Sequence, residues 1–349
     1  MMKQLFRYGA ISGKIHAMMG NRMTPQQFEG LMQQPSVGAA AEYLMGTGWK
    51  DSLQGLESGN ARRAELEERL RRGLDLEYHR LAAFASGGQR GLLRALASRN
   101  EAGELLRFLR FLAAGHPVDY KVSLPDELWQ SGTIDYAKLS EAMTYGQMLE
   151  AAAGTEFESQ LKKCAPEEGE IPEYNRAETA VQTAYYKNIF QSIEKGFSGQ
   201  EQAQLKKYFA QQCDFRNIVR ILRLKSNFHH DKQECLRYLL PFSYQLKSAD
   251  LEALVSCSTA EEVTELLAKG PYARVFAGKN LQQIERYSNL LLQKNHALLH
   301  RGAPSAFTAL VYLEQREAEM KSIIQIIECI RYQVTPSQMK VYLHTEDIS

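Results

Sequence analysis

The chain has 349 residues, 44% of them hydrophobic, which is enough to bury more than one core, so two or three domains are expected. Its 42 basic residues nearly balance 41 acidic ones, giving a formal net charge of +1. That balance argues against binding nucleic acid through overall charge, although it leaves room for a local basic patch. No apolar run is long enough to cross a bilayer, and Arg7 and Lys14 interrupt the apolar core that a signal peptide would need. We expect a cytoplasmic protein that reaches a membrane only through a partner.

Helical periodicity dominates the chain. Segments 62–84, 176–196 and 280–300 each place apolar residues on one stripe, with charged residues elsewhere. β-branched residues are sparse and do not alternate, so the sequence predicts an all-α fold. The stripes are formed by Leu66, Leu70, Leu74 and Leu81, by Ala180, Ala184, Tyr185 and Ile189, and by Leu281, Ile284, Leu291 and Leu298.

An internal repeat gives more information than the periodicity. Segments 28–53 and 136–161 align without gaps, and segment 251–276 forms a third copy. Each copy predicts a short helix, a second helix led by Ser or Thr, and a tight turn closed by an aromatic residue. The expected N-caps of the second helices are Ser36, Thr144 and Thr259. Other matched positions are Glu42, Glu150 and Glu265, and Trp49, Phe157 and Tyr272.

A second block recurs in the same order. Helices 101–113, 214–226 and 317–329 have their apolar positions in the same phase when Asp214 is matched to Glu101 and Glu319. A unit this long is a small helical domain rather than a solenoid repeat. The sequence therefore predicts three similar helical domains, with the N-terminal helix free to pack against the third. The predicted domains are 1–115, 116–228 and 229–349, with joins near 115–134 and 228–247.

Three stretches resemble one known family. These are the opening YGAISGKIHAMMGNRMTPQQFEGLMQQPSVGAAAEYLMGTGW, the helix DFRNIVRILRLK and the C-terminal PSAFTALVYLEQREAEMKSIIQIIECI. Their order resembles that of the C/AC39 family of A/V-type rotary ATPase subunits, whose eukaryotic member is known as d. One departure concerns the Asp/Asn pair of the middle helix. The second repeat has Asp214 and Asn217, whereas the first has Glu101 and Glu104 and the third has Glu319 and Ser322.

The resemblance implies an architecture and a role. Three helical domains would form a funnel with pseudo-threefold internal symmetry on the cytoplasmic face of the membrane proteolipid ring. The funnel would receive the lower end of the central shaft and pass torque between the ATP-hydrolysing head and the ring, for proton or sodium transport. The protein would be non-catalytic, would hold no cofactor or metal, and would be a monomer in isolation.

The residue chemistry is consistent with a non-catalytic protein. The chain has no GxxxxGK[ST] for nucleotide phosphates, and no GxGxxG, HExxH or GxSxG. His296 and His300 share a predicted helix face but have no obvious third ligand, and His229 and His230 fall in an interdomain loop, so surface histidines are favoured over a metal site. The five cysteines are far apart and indicate reduced, structural thiols.

Five arginines are the candidate partner-binding residues. Arg216, Arg220 and Arg223 share one helix face opposite the apolar residues of that helix, and Arg107 and Arg110 are their counterparts in the first repeat. A solvated face with local ion pairs is one interpretation. A basic lining of the funnel that meets acidic groups of the shaft is the other, and contacts of that kind fix register and encounter rate.

Two alternatives remain open from the sequence. A triple helical repeat also suits an unrelated protein–protein adaptor. A helical enzyme is the third hypothesis, and it would require a cleft with convergent polar groups and perturbed titratable residues.

Overall fold

The computed structural model of the protein describes residues 2–57, 59, 61–122, 132–167, 170, 173–227, 231–276 and 305–343. Every regular element within these ranges is a helix, so the predicted all-α fold is confirmed. None of the helices described there combines the length and the apolar character needed to span a bilayer. Segment 280–300 and its stripe lie outside the described residues, as do His229, His230, His296 and His300.

Helices of very different length alternate along the chain. In the first third, α1 spans Met2–Met19, α2 Pro25–Met32, α3 Val37–Leu44, α4 Arg63–Phe84 and α5 Gly87–Ala113, with 3₁₀ turns at Lys50–Leu53 and Pro117–Asp119. In the middle, α6 spans Tyr136–Glu141, α7 Tyr145–Ala151, α8 Glu158–Lys163, α9 Tyr174–Gly196 and α10 Gly199–Asn227. In the last part, α11 spans Lys232–Arg237, α12 Ser248–Ser256, α13 Ala260–Leu267, α14 Ala273–Phe276, α15 Ala306–Arg331 and α16 Pro336–Leu343.

The short elements form three sets, which we call trios. The first trio is α2, α3 and the 3₁₀ turn Lys50–Leu53, the second is α6, α7 and α8, and the third is α12, α13 and α14. In all three, the hydroxyl of the predicted N-cap accepts a hydrogen bond from the backbone N–H three residues later, which confirms Ser36, Thr144 and Thr259 as caps. The aromatic that closes each trio is fully buried, being Trp49, Phe157 or Tyr272.

The long helices form two antiparallel hairpins with similar turns. Gly87 and Gly199 have positive φ at the starts of α5 and α10, a conformation that glycine adopts without a steric penalty. The turn is fastened from the second helix, because the Arg90 Nε donates to the Ala85 carbonyl at 2.9 Å and the Gln202 Nε2 to the Phe197 carbonyl at 2.7 Å.

The predicted apolar stripe of α4 is confirmed, whereas that of α9 is only partly right. Leu66, Leu70, Leu74 and Leu81 are at most 5% exposed. In α9 Ala184 and Ile189 are buried, but Ala180 and Tyr185 are only half-buried. The core side of α9 is instead completed by Ala177, Val181, Tyr186 and Ile193.

The chain divides into two compact units. Unit 1 comprises Met1–Arg94, Ser123–Pro125 and Leu299–Ser349, and unit 2 comprises Ala95–Val122 and Asp126–Leu298. In unit 1, α15 packs against α1, α4 and the first trio, so the two ends of the chain share one core. In unit 2, α10 packs against α9 and the third trio. The three-domain division at 1–115, 116–228 and 229–349 stays a prediction.

Candidate functional site

The three acidic residues that were matched between repeats are all buried. Glu101 is 7% exposed, Asp214 is fully buried and Glu319 is 4% exposed. Each lies on a long helix, α5, α10 or α15, and each accepts hydrogen bonds from a segment outside that helix. A buried carboxylate is tolerated only when its oxygens are satisfied, so these contacts hold specific segments in place.

Asp214 fastens the third trio and the segment that leads into it. Its Oδ1 accepts from the Tyr244 backbone N–H at 3.1 Å, and its Oδ2 accepts from the Gln245 and Leu246 N–H groups at 2.8 and 3.3 Å. The Tyr272 hydroxyl donates to the same Oδ2 at 2.7 Å. The surrounding core joins the apolar face of α10 to the trio, and Phe215 packs against the Tyr272 ring at 5.0 Å between centroids.

Glu319 does the same for the first trio, from the other end of the sequence. The Trp49 indole Nε1 donates to its Oε1 at 2.8 Å, and the Arg22 Nε lies 3.4 Å from its Oε2. The Arg316 guanidinium also binds Glu319 and stacks over the Trp49 ring, 3.9 Å from the centroid. The C-terminal helix therefore holds the N-terminal trio.

Glu101 anchors the segment that leads into the second trio. Its Oε1 accepts from the Thr133 backbone N–H at 2.5 Å, and its Oε2 accepts from the Thr133 hydroxyl at 2.8 Å. Phe157 closes this trio without a polar group, so the carboxylate is satisfied by the entering segment alone. In each case the acid on a long helix fastens the trio that follows it, with the first trio following the C-terminal helix.

Burial raises the pKa of all three carboxyl groups above its ordinary value, and the hydrogen bonds that they accept oppose that change. Around Glu101 the charge of Glu156 adds to the increase in pKa. At Glu319 the charges of Arg316 and Arg22 act in the opposite direction to burial.

The position one turn after each acid differs between the repeats. Asn217 grips the backbone of Leu240 with both amide atoms, at 3.0 and 2.8 Å. Glu104 instead accepts from the Tyr120 hydroxyl at 2.9 Å, and Ser322 donates only to a carbonyl of its own helix, that of Ala318. The sequence departure at this position therefore corresponds to a real difference in contacts.

A buried ion network around Glu319 could not be located from the sequence. Arg316 is 1% exposed, and its Nη2 lies 2.8 Å from the Glu77 Oε1 on α4. The Tyr312 hydroxyl donates to the Glu77 Oε2 at 2.7 Å. The signal available was the "REAE" run in an otherwise apolar helix, but nothing in it names Glu77 as the partner. Removing one member of such a network leaves an uncompensated buried charge.

The three candidate arginines of α10 differ in their surroundings. Arg216 and Arg223 are exposed, whereas Arg220 is half-buried. The Arg220 Nη1 donates to the carbonyl of Tyr238 and to the Thr179 hydroxyl, and its Nη2 donates to the Gln182 Oε1 at 3.1 Å. The Arg216 guanidinium lies over the Tyr186 ring, 5.7 Å from the centroid. Arg220 thus already has a structural role within the chain.

The two candidate arginines of α5 also contact aromatic rings. Arg107 is half-buried, lies 5.7 Å from the Tyr120 centroid and forms a 3.7 Å ion pair with Glu104. Arg110 is exposed, and its Nε donates to the Tyr174 hydroxyl at 2.9 Å. Arg110, Arg216 and Arg223 are therefore the exposed members of the predicted set.

The described ranges contain no group of three or more His, Cys, Asp or Glu residues placed to hold a metal ion. The five cysteine thiols are free of disulfides, and burial raises the pKa of each, which disfavours the reactive thiolate.

Comparison with known proteins gives the class. Residues 11–342 match the family described as ATP synthase (C/AC39) subunit, which covers nearly the whole chain. The chain belongs to this family, and the resemblance that its sequence motifs suggested is confirmed.

Curated relatives carry a consistent name, that of the C-type component of the A-type ATP synthase. The chain is 23% identical to this protein from Thermococcus gammatolerans over 97% of the chain and 90% of that protein. It is 21% identical to the Pyrococcus abyssi protein of the same name over 95% of the chain and 89% of that protein. For the Pyrococcus furiosus protein the identity is 24%, over 57% of the chain and 55% of that protein.

Proposed function

We propose that this protein is the non-catalytic central-stalk subunit of an A/V-type rotary ATPase. It would couple the rotating shaft of the ATP-hydrolysing head to the membrane proteolipid ring, for proton or sodium transport. Family membership across residues 11–342 is the observation that carries the proposal. The protein would lie on the cytoplasmic face of the membrane, held there by its complex.

The contacts within each unit support a mechanical role. A coupler has to transmit torque without bending at its internal joints, and buried, fully hydrogen-bonded carboxylates resist such bending because breaking them strands a buried charge. Asp214 and Glu319 provide joints of this kind between a long helix and a trio. We further propose that the trios and long helices form three domains around a pseudo-threefold funnel.

The candidate arginines would meet acidic groups of the shaft. The exposed arginines Arg110, Arg216 and Arg223 are the members best suited to direct contact, because their guanidinium groups reach solvent. Arg107 and Arg220 would support the same face from their half-buried positions. Contacts of this kind set orientation and association rate more than affinity.

Native mass spectrometry of the chain co-expressed with the two shaft proteins of the same complex tests the proposal. We expect a one-to-one-to-one assembly that weakens when Arg110, Arg216 and Arg223 are changed to Glu. The matched control changes three other exposed arginines, Arg80, Arg237 and Arg274, to Glu, and should leave the assembly intact.

An assembly that is indifferent to the first triple variant would keep the coupler and reject the arginine contacts. Absence of any assembly at low salt, with folded shaft proteins, would contradict the coupler and favour the unrelated helical adaptor.

A further inference from the structure

The second helix of each trio carries an exposed glutamate at the matched position. Glu42 lies in α3, Glu150 in α7 and Glu265 in α13. All three side chains are exposed, and none forms a hydrogen bond or an ion pair with any other side chain or backbone group in the described part of the chain. The fold therefore repeats an acidic group that it does not use internally.

The position of these glutamates is electrostatically unfavourable. Each lies in the last turn of its helix, where the unpaired carbonyl groups give the helix end a partial negative charge. None of the three last turns contains a basic residue that would compensate. A negative side chain at this place lowers the stability of the helix, so local stability does not account for its presence in all three trios.

Other acidic side chains in the molecule do have a structural use. In the third trio Glu262 lies in the first turn of α13, where the dipole favours it, and it accepts from the Ser258 N–H at 2.7 Å. Glu65, Glu194 and Glu252 are exposed, yet each lies within 3.6 Å of a basic side chain, which belongs to Arg69, Lys206 and Lys232 respectively. Glu42, Glu150 and Glu265 differ from both groups.

Residues that break a local rule in the same way in several repeats are expected at interaction sites. We propose that Glu42, Glu150 and Glu265 are equivalent docking points for Lys or Arg side chains of a partner polypeptide. A basic partner satisfies the exposed carboxylate and offsets the negative charge of the helix end at the same time. The inference rests on the proposed function for the identity of that partner, which is another protein of the rotary complex.

The direct test is the triple variant Glu42→Gln, Glu150→Gln and Glu265→Gln in the full-length chain. Because the change removes an unfavourable charge from each helix end, we expect the melting temperature to stay the same or to rise. The apparent Kd for the purified remainder of the complex, measured by fluorescence titration at about 0.1 M salt, should increase about tenfold, the effect of losing three exposed ion pairs. The difference should shrink at about 1 M salt, where screening is strong.

The matched control is Glu65→Gln, Glu194→Gln and Glu252→Gln, which removes the same net charge from exposed positions with internal partners. This control should bind like the wild type. Unchanged binding by the first triple variant, with the wild type bound, overturns the docking points and leaves the coupler in place. Absence of binding by the wild type itself overturns the proposed function, and the inference falls with it.

Discussion

At the scale of single residues, the C-terminal end of α15 contains a backbone conformation that does not suit its side chain. Gln333 has a φ of +56°, and the Val334 and Gln333 N–H groups donate to the carbonyls of Cys329 and Ile330. This is the Schellman arrangement, which favours glycine. At the end of α5 the same hydrogen bonds surround Gly115, whose φ is +78°.

We therefore expect Gln333→Gly to stabilise the protein by about 0.5–1 kcal/mol. Calorimetric measurement of the melting temperature checks this. Gln333→Ala serves as the control and should give no such gain, because alanine retains the β-carbon. A lower melting temperature for the glycine variant would show that the Gln333 side chain stabilises the turn.

The buried carboxyl of Glu101 makes a prediction about pH. Its pKa is higher in the folded state than the ordinary value of about 4.5, because burial disfavours the charged form. A raised folded pKa contributes stability that is fully present below the unfolded pKa and is lost as the pH rises through the folded pKa.

The stability difference between wild type and Glu101→Gln should therefore be largest near pH 4 and should decrease toward pH 7. Free energies of unfolding from urea titrations at several pH values measure it, with Glu68→Gln at a half-buried position of α4 as the control. A difference that grows with pH would mean that the Thr133 hydrogen bonds outweigh burial and lower the pKa instead.

At the scale of elements, the three N-caps are the part of the fold that the sequence predicts best. Ser36, Thr144 and Thr259 lie directly before short amphipathic helices, and capping depends only on residues three positions apart. The stripe of α9 is predicted less well, because several of its faces are half-buried and the tertiary packing decides which one turns inward.

Replacing Ser36, Thr144 or Thr259 by Ala should each cost about 1 kcal/mol, because one N–H at the start of the helix loses its acceptor. Chemical unfolding of the three single variants measures the cost, and Ser36→Thr should restore most of it at the first site. Costs near zero at all three sites would show that solvent replaces the hydroxyl.

At the scale of the whole molecule, the contacts of Glu319 could not be predicted from the sequence. The repeat alignment identifies Glu101, Asp214 and Glu319 as equivalent, but it does not say which trio each one holds. Trp49 and Glu319 are 270 positions apart, and only the folded chain brings them together. Local patterns specify helices and caps, whereas pairing between distant segments depends on the packing of every helix between them.

Two variants should therefore destabilise different units. Trp49→Phe removes the indole N–H from Glu319, and Tyr272→Phe removes the hydroxyl from Asp214, each at a cost of about 1–3 kcal/mol. Amide hydrogen exchange should show that the first variant loses protection in α2, α3 and α15, and the second in α10 and α13. Each variant is the control for the other, and equal loss in both units from either change would contradict separate anchoring.

The proposed coupling role is tested most directly by reconstituting the complete rotary complex with and without this chain and measuring ATP hydrolysis and ion transport together. With the chain present, hydrolysis should drive ion transport. Without it, hydrolysis by the head should continue while transport stops, because the shaft no longer turns the ring. Ion transport at the full rate without the chain would contradict the account.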